Sequence, residues 1–136
     1  MAWLNAVPQP PVGSRRAESQ PPNRMSRLDK LKKDGVPVLY PPNPAPHITG
    51  RLIEIGLVQA GAGGAVPLSW AEIRAWQENV CIRLAPWEAR LIRALSTAYV
   101  AEGRRAEADN VSSAWKTPVT QREIDLEVAA LESVLG

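Results

Sequence analysis

The sequence predicts an all-α protein: a small helical domain of three to four helices that follows an extended, proline-rich N-terminal arm. Three observations predict this fold. Ten of the 13 prolines fall within the first 46 residues, where they fix φ and remove backbone donors. Helix-start signals recur beyond that point, and the apolar side chains between them repeat at helical spacing. We therefore divide the chain into an arm (1–46), a helical body (47–109) and a linker with a C-terminal amphipathic helix (110–136).

The composition excludes several classes of protein. A length of 136 residues suits one modest domain. A single cysteine excludes an internal disulfide framework. The chain also has only one histidine, and one Cys with one His disfavours an intrachain zinc site. We expect neither a membrane span nor a secretory signal, because no apolar stretch is long enough for the first or suitably placed for the second. The formal net charge of +2 is too small to indicate nucleic-acid binding by itself.

The arm is basic, whereas the rest of the chain is mildly acidic. Residues 1–34 carry seven basic and three acidic side chains, a formal charge of +4, which leaves −2 for the remainder. We expect residues 1–24 to be disordered or extended, because their few apolar side chains offset little ordering entropy. Residues 26–34 predict a short helix with Ser26 as N-cap and Gly35 as its stop, and a polyproline II or extended strap follows. Met25 is either a second translation start or an ordinary methionine in the arm, and both interpretations stay open.

The body contains three predicted helices. Apolar spacing predicts the first over 47–55, and the glycine-rich stretch after it is expected to be a flexible loop, because it lacks the Lys-Ser/Thr of a phosphate-binding loop. A capping box formed by Ser69 and Glu72 starts the second helix, which is expected to end near Asn79. Pro86 at a first helical position starts the third, over about 86–102. Its predicted apolar stripe consists of Trp87, Leu91, Leu95 (with Ala94) and Ala98, widened by Ile92 and Tyr99.

The C-terminal segment predicts one more amphipathic helix. Thr120 and Glu123 form a second capping box after a linker that holds Trp115. The apolar residues then recur at i, i+4, i+7 and i+11: Ile124, Val128, Leu131 and Leu135. A helix of about 15 residues is marginal alone in water, so we expect it to dock on the body or on a partner chain.

The sequence offers little for catalysis. His47 has no Ser or Asp constellation beside it, so an exposed or capping role is expected. Cys81 lies in an apolar run and is expected to be a buried structural thiol. Helix capping and the helix dipole explain Glu72 and Glu88 without an acid–base role. The basic run (Arg24, Arg27, Lys30, Lys32 and Lys33) favours a solvated face or an acidic protein partner over phosphate binding. We therefore predict no enzyme, no catalytic residue, no metal and no cofactor.

Tryptophan is the most informative residue type. Trp70, Trp76 and Trp87 lie on the two central predicted helices, where they form either a shared aromatic core or a partner-binding patch. Trp3 and Trp115 lie in segments expected to be flexible, and each is either a docking residue or an incidental hydrophobe. The limited number of large apolar side chains in the body favours stabilisation by another chain.

The stretch from Pro67 to Glu102 resembles small proteins of long-tailed phages and prophages that are encoded between the major tail protein and the tape measure. A glycine-rich segment (61–64) precedes Pro-Leu-Ser-Trp-Ala-Glu-Ile (67–73), and a Trp-Glu-Ala-Arg helix (87–96) follows. The preceding MSRLDKLKKDGV and HITGRLIEIG also fit, so the likeness covers about residues 25–102. The chain departs from the pattern at 79–82, where related segments have Thr-Gly-Ile, and its ends at 1–24 and 121–135 lie outside the resemblance.

The resemblance implies a tail assembly chaperone, similar to the T-type half of the lambda-like G–T pair. Such a protein would bind the tape measure protein, tail tube subunits or itself in the host bacterial cytoplasm, with no small-molecule substrate, nucleic acid or membrane. The candidate partner-binding residues are Trp70, Ile73, Trp76, Trp87, Leu91 and Leu95 as core and groove, Arg90 and Arg93 as rim, and Ile124, Val128, Leu131 and Leu135 on the last helix. The alternative is a structural virion protein, a tail, connector or tail-tip component whose arm laces between subunits.

Overall fold

The computed structural model describes residues 1–19, 25–116 and 118–136. These residues are mostly helical, with seven helices and one two-stranded hairpin. The helices are α1 (Ala2–Asn5), α2 (Arg15–Ser19), α3 (Arg27–Lys33), α4 (Pro46–Ile55), α5 (Trp70–Val80), α6 (Pro86–Arg105) and α7 (Gln121–Leu135). The strands are β1 (Gln59–Gly61) and β2 (Gly64–Val66). The predicted helical majority is confirmed, but a purely all-α fold is wrong because of the hairpin. Four helices, α4 to α7, follow the arm as predicted, and α1 and α2 are additional helices within the arm.

The first residues of the chain fold back onto the body, which corrects the expectation of a disordered or extended segment. Helix α1 packs against α6 and α3, and Ala2 is buried there. The backbone of Gln9 exchanges hydrogen bonds with Glu107 (2.8 Å) and Asp109 (3.2 Å), which forms a single parallel bridge. Pro21, Pro22 and Arg24 lie outside the described residues. The contacts with α6 provide the apolar burial that the segment alone lacks.

Arg27 fixes this arrangement. Its guanidinium donates to the carbonyls of Ala106 (2.6 Å), Ala108 (2.9 Å) and Trp3 (3.2 Å). It also lies 4.6 Å from the centre of the Trp3 ring, within cation–π range. Burial lowers the pKa of Arg27 from its ordinary value, against a smaller opposing effect of Asp109. The planar fork of five donors thus joins α1 and α3 to the end of α6.

Helix α3 begins and ends as its sequence predicts. Ser26 Oγ accepts from the Asp29 amide at 3.1 Å, and Gly35 adopts a φ of +67° just beyond the helix. Residues 36–45 form no helix or strand, and the polyproline II or extended geometry of this strap stays a prediction. Leu39 and Tyr40 are exposed along it.

The glycine-rich stretch is a tight hairpin rather than a flexible loop. Strands β1 and β2 pair antiparallel, with Gln59 opposite Val66 and Gly61 opposite Gly64. A Cβ at Gly61 would lie 2.6 Å from a Val66 methyl carbon, so the pairing needs glycine there. Arg104 on α6 donates to the Ala65 carbonyl at 3.4 Å. The hairpin therefore lies against the C-terminal half of α6.

Two hydrogen bonds to Ser96 fasten both ends of the hairpin to α6. Ser96 is fully buried, and its hydroxyl donates to the Leu57 carbonyl (2.6 Å) before β1. The same hydroxyl accepts from the Leu68 amide (2.9 Å) after β2. Next to it, the Ser69 amide donates to the Gln59 side chain (3.1 Å). The capping box predicts that this amide donates to the Glu72 side chain, and that half of the box is not formed. The other half is formed, because Ser69 Oγ accepts from the Glu72 amide at 3.2 Å.

The core lies between α4, α5 and α6. Its buried members are Ile48 and Leu52 on α4, Ile73 and Trp76 on α5, Ile92 on α6, and Leu68 and Leu84 in the connections. Helix α6 starts at Pro86 as predicted but extends to Arg105, beyond the expected end near 102. Its buried residues are Ile92, Ser96 and Val100. The predicted stripe is right for Ile92 and in part for Leu95. Trp87, Leu91 and Ala98 are exposed instead, because the helix turns a different face to the core.

Candidate partner-binding surfaces

The three tryptophans of the central helices do not form one aromatic core. Trp76 is buried, and its Nε1 has no hydrogen-bond partner among the described residues. Trp70 is 51% exposed and lies under the Arg93 guanidinium, 5.3 Å from the ring centre. Trp87 is 53% exposed. Trp76 and Ile73 therefore stabilise the body, whereas Trp70, Arg93 and Trp87 lie where a partner can reach them.

The outward face of α6 carries an apolar stripe. Trp87, Leu91, Ala94 and Ala98 recur at i, i+4, i+7 and i+11, and all four are exposed. The exposed Arg90 lies beside them in the sequence. Leu95 was predicted to share this stripe, but it is partly buried against the core. The result is a partly exposed apolar surface about three helical turns long.

A second apolar stripe lies on α7. Ile124, Val128, Leu131 and Leu135 are all exposed, with fractions of 43, 47, 60 and 83%. The helix carries one arginine and four carboxylates, a formal charge of −3. No residue of α7 is buried, so the prediction that it docks on the body is wrong for this structure of the single chain. Docking on a partner stays a prediction.

The start of α7 is well capped. Glu123 Oε2 accepts from the Thr120 amide at 2.7 Å, and Thr120 Oγ1 accepts from the Glu123 amide at 3.4 Å. The backbone hydrogen bond from Thr120, followed by that from its hydroxyl, lowers the pKa of Glu123. The predicted capping box is confirmed, and it explains why a fully exposed helix begins at Gln121.

An apolar groove lies beside the first turn of α7. It has a volume of about 630 Å³ and is lined by Trp3, Leu31, Val38, Trp115 and Leu126, among others. Trp3 and Trp115 were expected in flexible segments. Trp3 is instead held by a hydrogen bond from its Nε1 to the Val111 carbonyl at 2.8 Å. A second cavity of about 480 Å³ lies between α1, the hairpin and α6.

The groups considered for catalysis are dispersed. His47 is exposed at the start of α4. Cys81 is exposed at the C-cap of α5 with a φ of +57°, so the expectation of a buried thiol is wrong. Among residues 1–19, 25–116 and 118–136, no three His, Cys, Asp or Glu side chains gather where a metal ion could bind.

Glu88 has a structural role at the start of α6. It accepts from the Ala85 amide (2.8 Å) and from Arg51 of α4 (2.6 Å). The backbone bond from Ala85 and, after it, the charge of Arg51 lower the pKa of Glu88, against the opposing effect of burial. Glu88 therefore caps α6 and links it to α4.

The basic run divides between two environments. Arg27 is enclosed by the carbonyls that it contacts, which corrects its expected place on a solvated face. Lys30, Lys32 and Lys33 are exposed on α3. These three lysines keep the interpretation of a solvated face or an acidic partner.

The chain was compared with known protein families, characterised proteins and solved structures, and no match was found in any of them. In the part of the chain that the structure describes, no helix combines the length and the apolar character needed to cross a membrane.

Proposed function

We propose that this chain is a non-catalytic binding protein of long-tailed phage morphogenesis, which covers apolar helical surfaces of the tape measure protein or tail tube subunits during tail assembly. The observation that carries the proposal is the pair of exposed apolar stripes on α6 and α7. Large apolar side chains at helical spacing suit helix-in-groove or helix-on-helix packing. The motifs at 61–64, 67–73 and 87–96, which resemble those of tail assembly chaperones, support the choice of partner.

The chemistry of such a partner suits this surface. A tape measure protein is long, helical and apolar before the tail tube encloses it, so it needs a temporary cover. Trp87 and Leu91 would contact the partner directly, and Arg90 would lie at the rim. Ile73 and Trp76 are left out of the contact set, because they are buried in the core. The proposed place of action is the host bacterial cytoplasm during assembly.

The test is co-expression with the neighbouring tape measure protein, followed by affinity capture. Trp87→Ala is expected to weaken capture by about 30-fold or more, the loss that truncation of a central interface tryptophan produces. Ile53→Ala is the matched control, since Ile53 is 51% exposed on α4, outside both stripes. Equal capture by both variants would contradict the contact surface, and no capture by the unmodified chain would contradict the proposed partner.

A structural virion protein is the second candidate. The exposed strap at 36–45, with Leu39 and Tyr40 pointing to solvent, favours it, because an extended segment can lace along a neighbouring subunit. Mass spectrometry of purified particles separates the two candidates. Abundant peptides of this chain in mature virions would favour the structural role over the chaperone role.

A further inference from the structure

We infer that the α7 stripe of one copy of this chain docks on the α6 stripe of a second copy, so that the protein self-associates through two unlike helix faces. The two stripes, Trp87–Leu91–Ala94–Ala98 and Ile124–Val128–Leu131–Leu135, share the spacing i, i+4, i+7 and i+11. Both are exposed on the single chain. This inference concerns copies of this chain alone, and it stands or falls independently of the proposed phage partner.

The side chains of the two stripes are complementary in size when the helices run parallel. Aligned from their first residues, Ile124 faces Trp87 and Val128 faces Leu91 of the second copy. Farther along, Leu131 and Leu135 face the small Ala94 and Ala98. Large residues over alanines let helices approach closely while the seam stays filled.

Charge selects the same pairing. In a parallel pair of helices, two positions flank the apolar seam, and they are called e and g. The g residue of one helix faces the e residue of the following heptad on the other helix. Arg90 of α6 then lies opposite Glu132 of α7 in the second copy, which is an attractive pair. Two α7 helices paired with each other would place Glu127 opposite Glu132 on both sides of the seam. Like charges at these positions disfavour the α7–α7 alternative.

The covalent path favours a second copy over the chain's own α7. A parallel pairing within one chain needs Ile124 beside Trp87, and so Thr120 just beyond the start of α6, but the chain leaves α6 at Arg105. The 20 residues of α6 are about 30 Å long. The chain is held at Val111 by Trp3, and the nine residues from there to Thr120 reach about 30 Å only when fully extended. A second copy removes this constraint.

The first experiment is sedimentation equilibrium of the full chain between about 5 and 200 µM, which brackets a micromolar Kd. The unmodified chain is expected to dimerise or to form larger species, and a monomer across that range would overturn the inference. Leu91→Asp and Leu131→Asp are each expected to raise Kd by about 30-fold or more. Ala129→Asp is the control, because Ala129 is exposed on α7, away from both the stripe and the groove beside Leu126. Far-UV circular dichroism shows whether each variant folds.

The decisive step is to mix the two defective variants. Leu91→Asp keeps an intact α7 stripe and Leu131→Asp keeps an intact α6 stripe, so the mixture recovers one α6–α7 contact. Recovery of association in the mixture, and in neither variant alone, supports the inference. Its absence would overturn it, since pairing of like helices predicts no complementation.

The register has its own test in a charge exchange. Arg90→Glu and Glu132→Arg are each expected to weaken association by about tenfold, and the double variant to restore it. If Glu132→Arg alone strengthened association, α7 would be pairing with α7, and the inference would be wrong.

Discussion

Removal of the Ser96 hydroxyl is the sharpest test of how the hairpin is attached to the body. Ser96→Ala deletes the oxygen that accepts from the Leu68 amide and donates to the Leu57 carbonyl. Each lost hydrogen bond removes about 1 kcal/mol, and each buried partner left unpaired adds to the loss, for a total of about 2–4 kcal/mol. The better helix propensity of alanine recovers at most about 0.5 kcal/mol.

The assay is urea unfolding followed by circular dichroism, with thermal unfolding as a second measurement. We expect Ser96→Ala to lower the unfolding midpoint with an unchanged m-value, and to lower Tm by about 6–12 °C. Thr97→Ala is the matched control: Thr97 is the next residue of α6, is exposed, and its hydroxyl donates to the Arg93 carbonyl of its own helix at 3.0 Å. Its free energy of unfolding should stay within about 0.5 kcal/mol of the unmodified chain. If Ser96→Ala behaved like this control, the two hydrogen bonds would not hold the hairpin.

Three further predictions follow from the helix ends and from Arg27. The pKa of Glu88 is lowered in the folded state, so its contribution to stability is complete above its ordinary pKa of 4.5 and is lost as pH falls through the folded value. Glu88→Gln should therefore flatten the fall in Tm between about pH 5 and pH 3, and an unchanged acid profile would contradict this. Lysine cannot reproduce the forked contacts of the guanidinium, so in Arg27→Lys the Gln9 amide should exchange with deuterium at least about tenfold faster. An unchanged exchange rate at Gln9 would show that the forked contacts are dispensable. Thr120→Ala removes a helix cap worth about 1 kcal/mol and should lower the helical circular dichroism signal. The Tm of the body should change little, because α7 is exposed. A lower Tm of the body would mean that α7 packs on it.

Local signals in this sequence predict where helices begin. Ser26, Pro86 and Thr120 each start the helix that their capping chemistry indicates, because a cap needs only residues within one turn of itself. The α7 stripe was predicted with its correct residues for the same reason. Whether a partner covers that stripe is a property of another surface, and the spacing of one helix cannot supply it.

The buried face of α6 could not be predicted from apolar spacing, because a polar residue lies at its centre. Ser96 is fully buried only because Leu57 and Leu68 satisfy its hydroxyl, and both lie at least 28 residues away in the chain. Without that information, Trp87 and Leu91 look like the centre of the buried face, Ile92 looks like its edge, and Val100 is not recognised as buried.

The hairpin and the folded first residues were missed for related reasons. Strands of three residues rich in glycine and alanine show no alternation, and the two-residue Ala62–Gly63 connection is not one of the sequences that favour a hairpin turn. Residues 1–9 have too little apolar surface to fold alone, and only the carbonyls that end α6 give Arg27 its partners.

The exposure of Cys81 has a practical consequence. It is the only thiol in the chain, and it projects into solvent at the end of α5. A maleimide fluorophore would therefore attach to the body at one defined point without any prior removal of cysteines. Fluorescence anisotropy from that dye would rise when the labelled chain joins a larger, more slowly tumbling complex, so binding of a partner could be titrated with a single attached label.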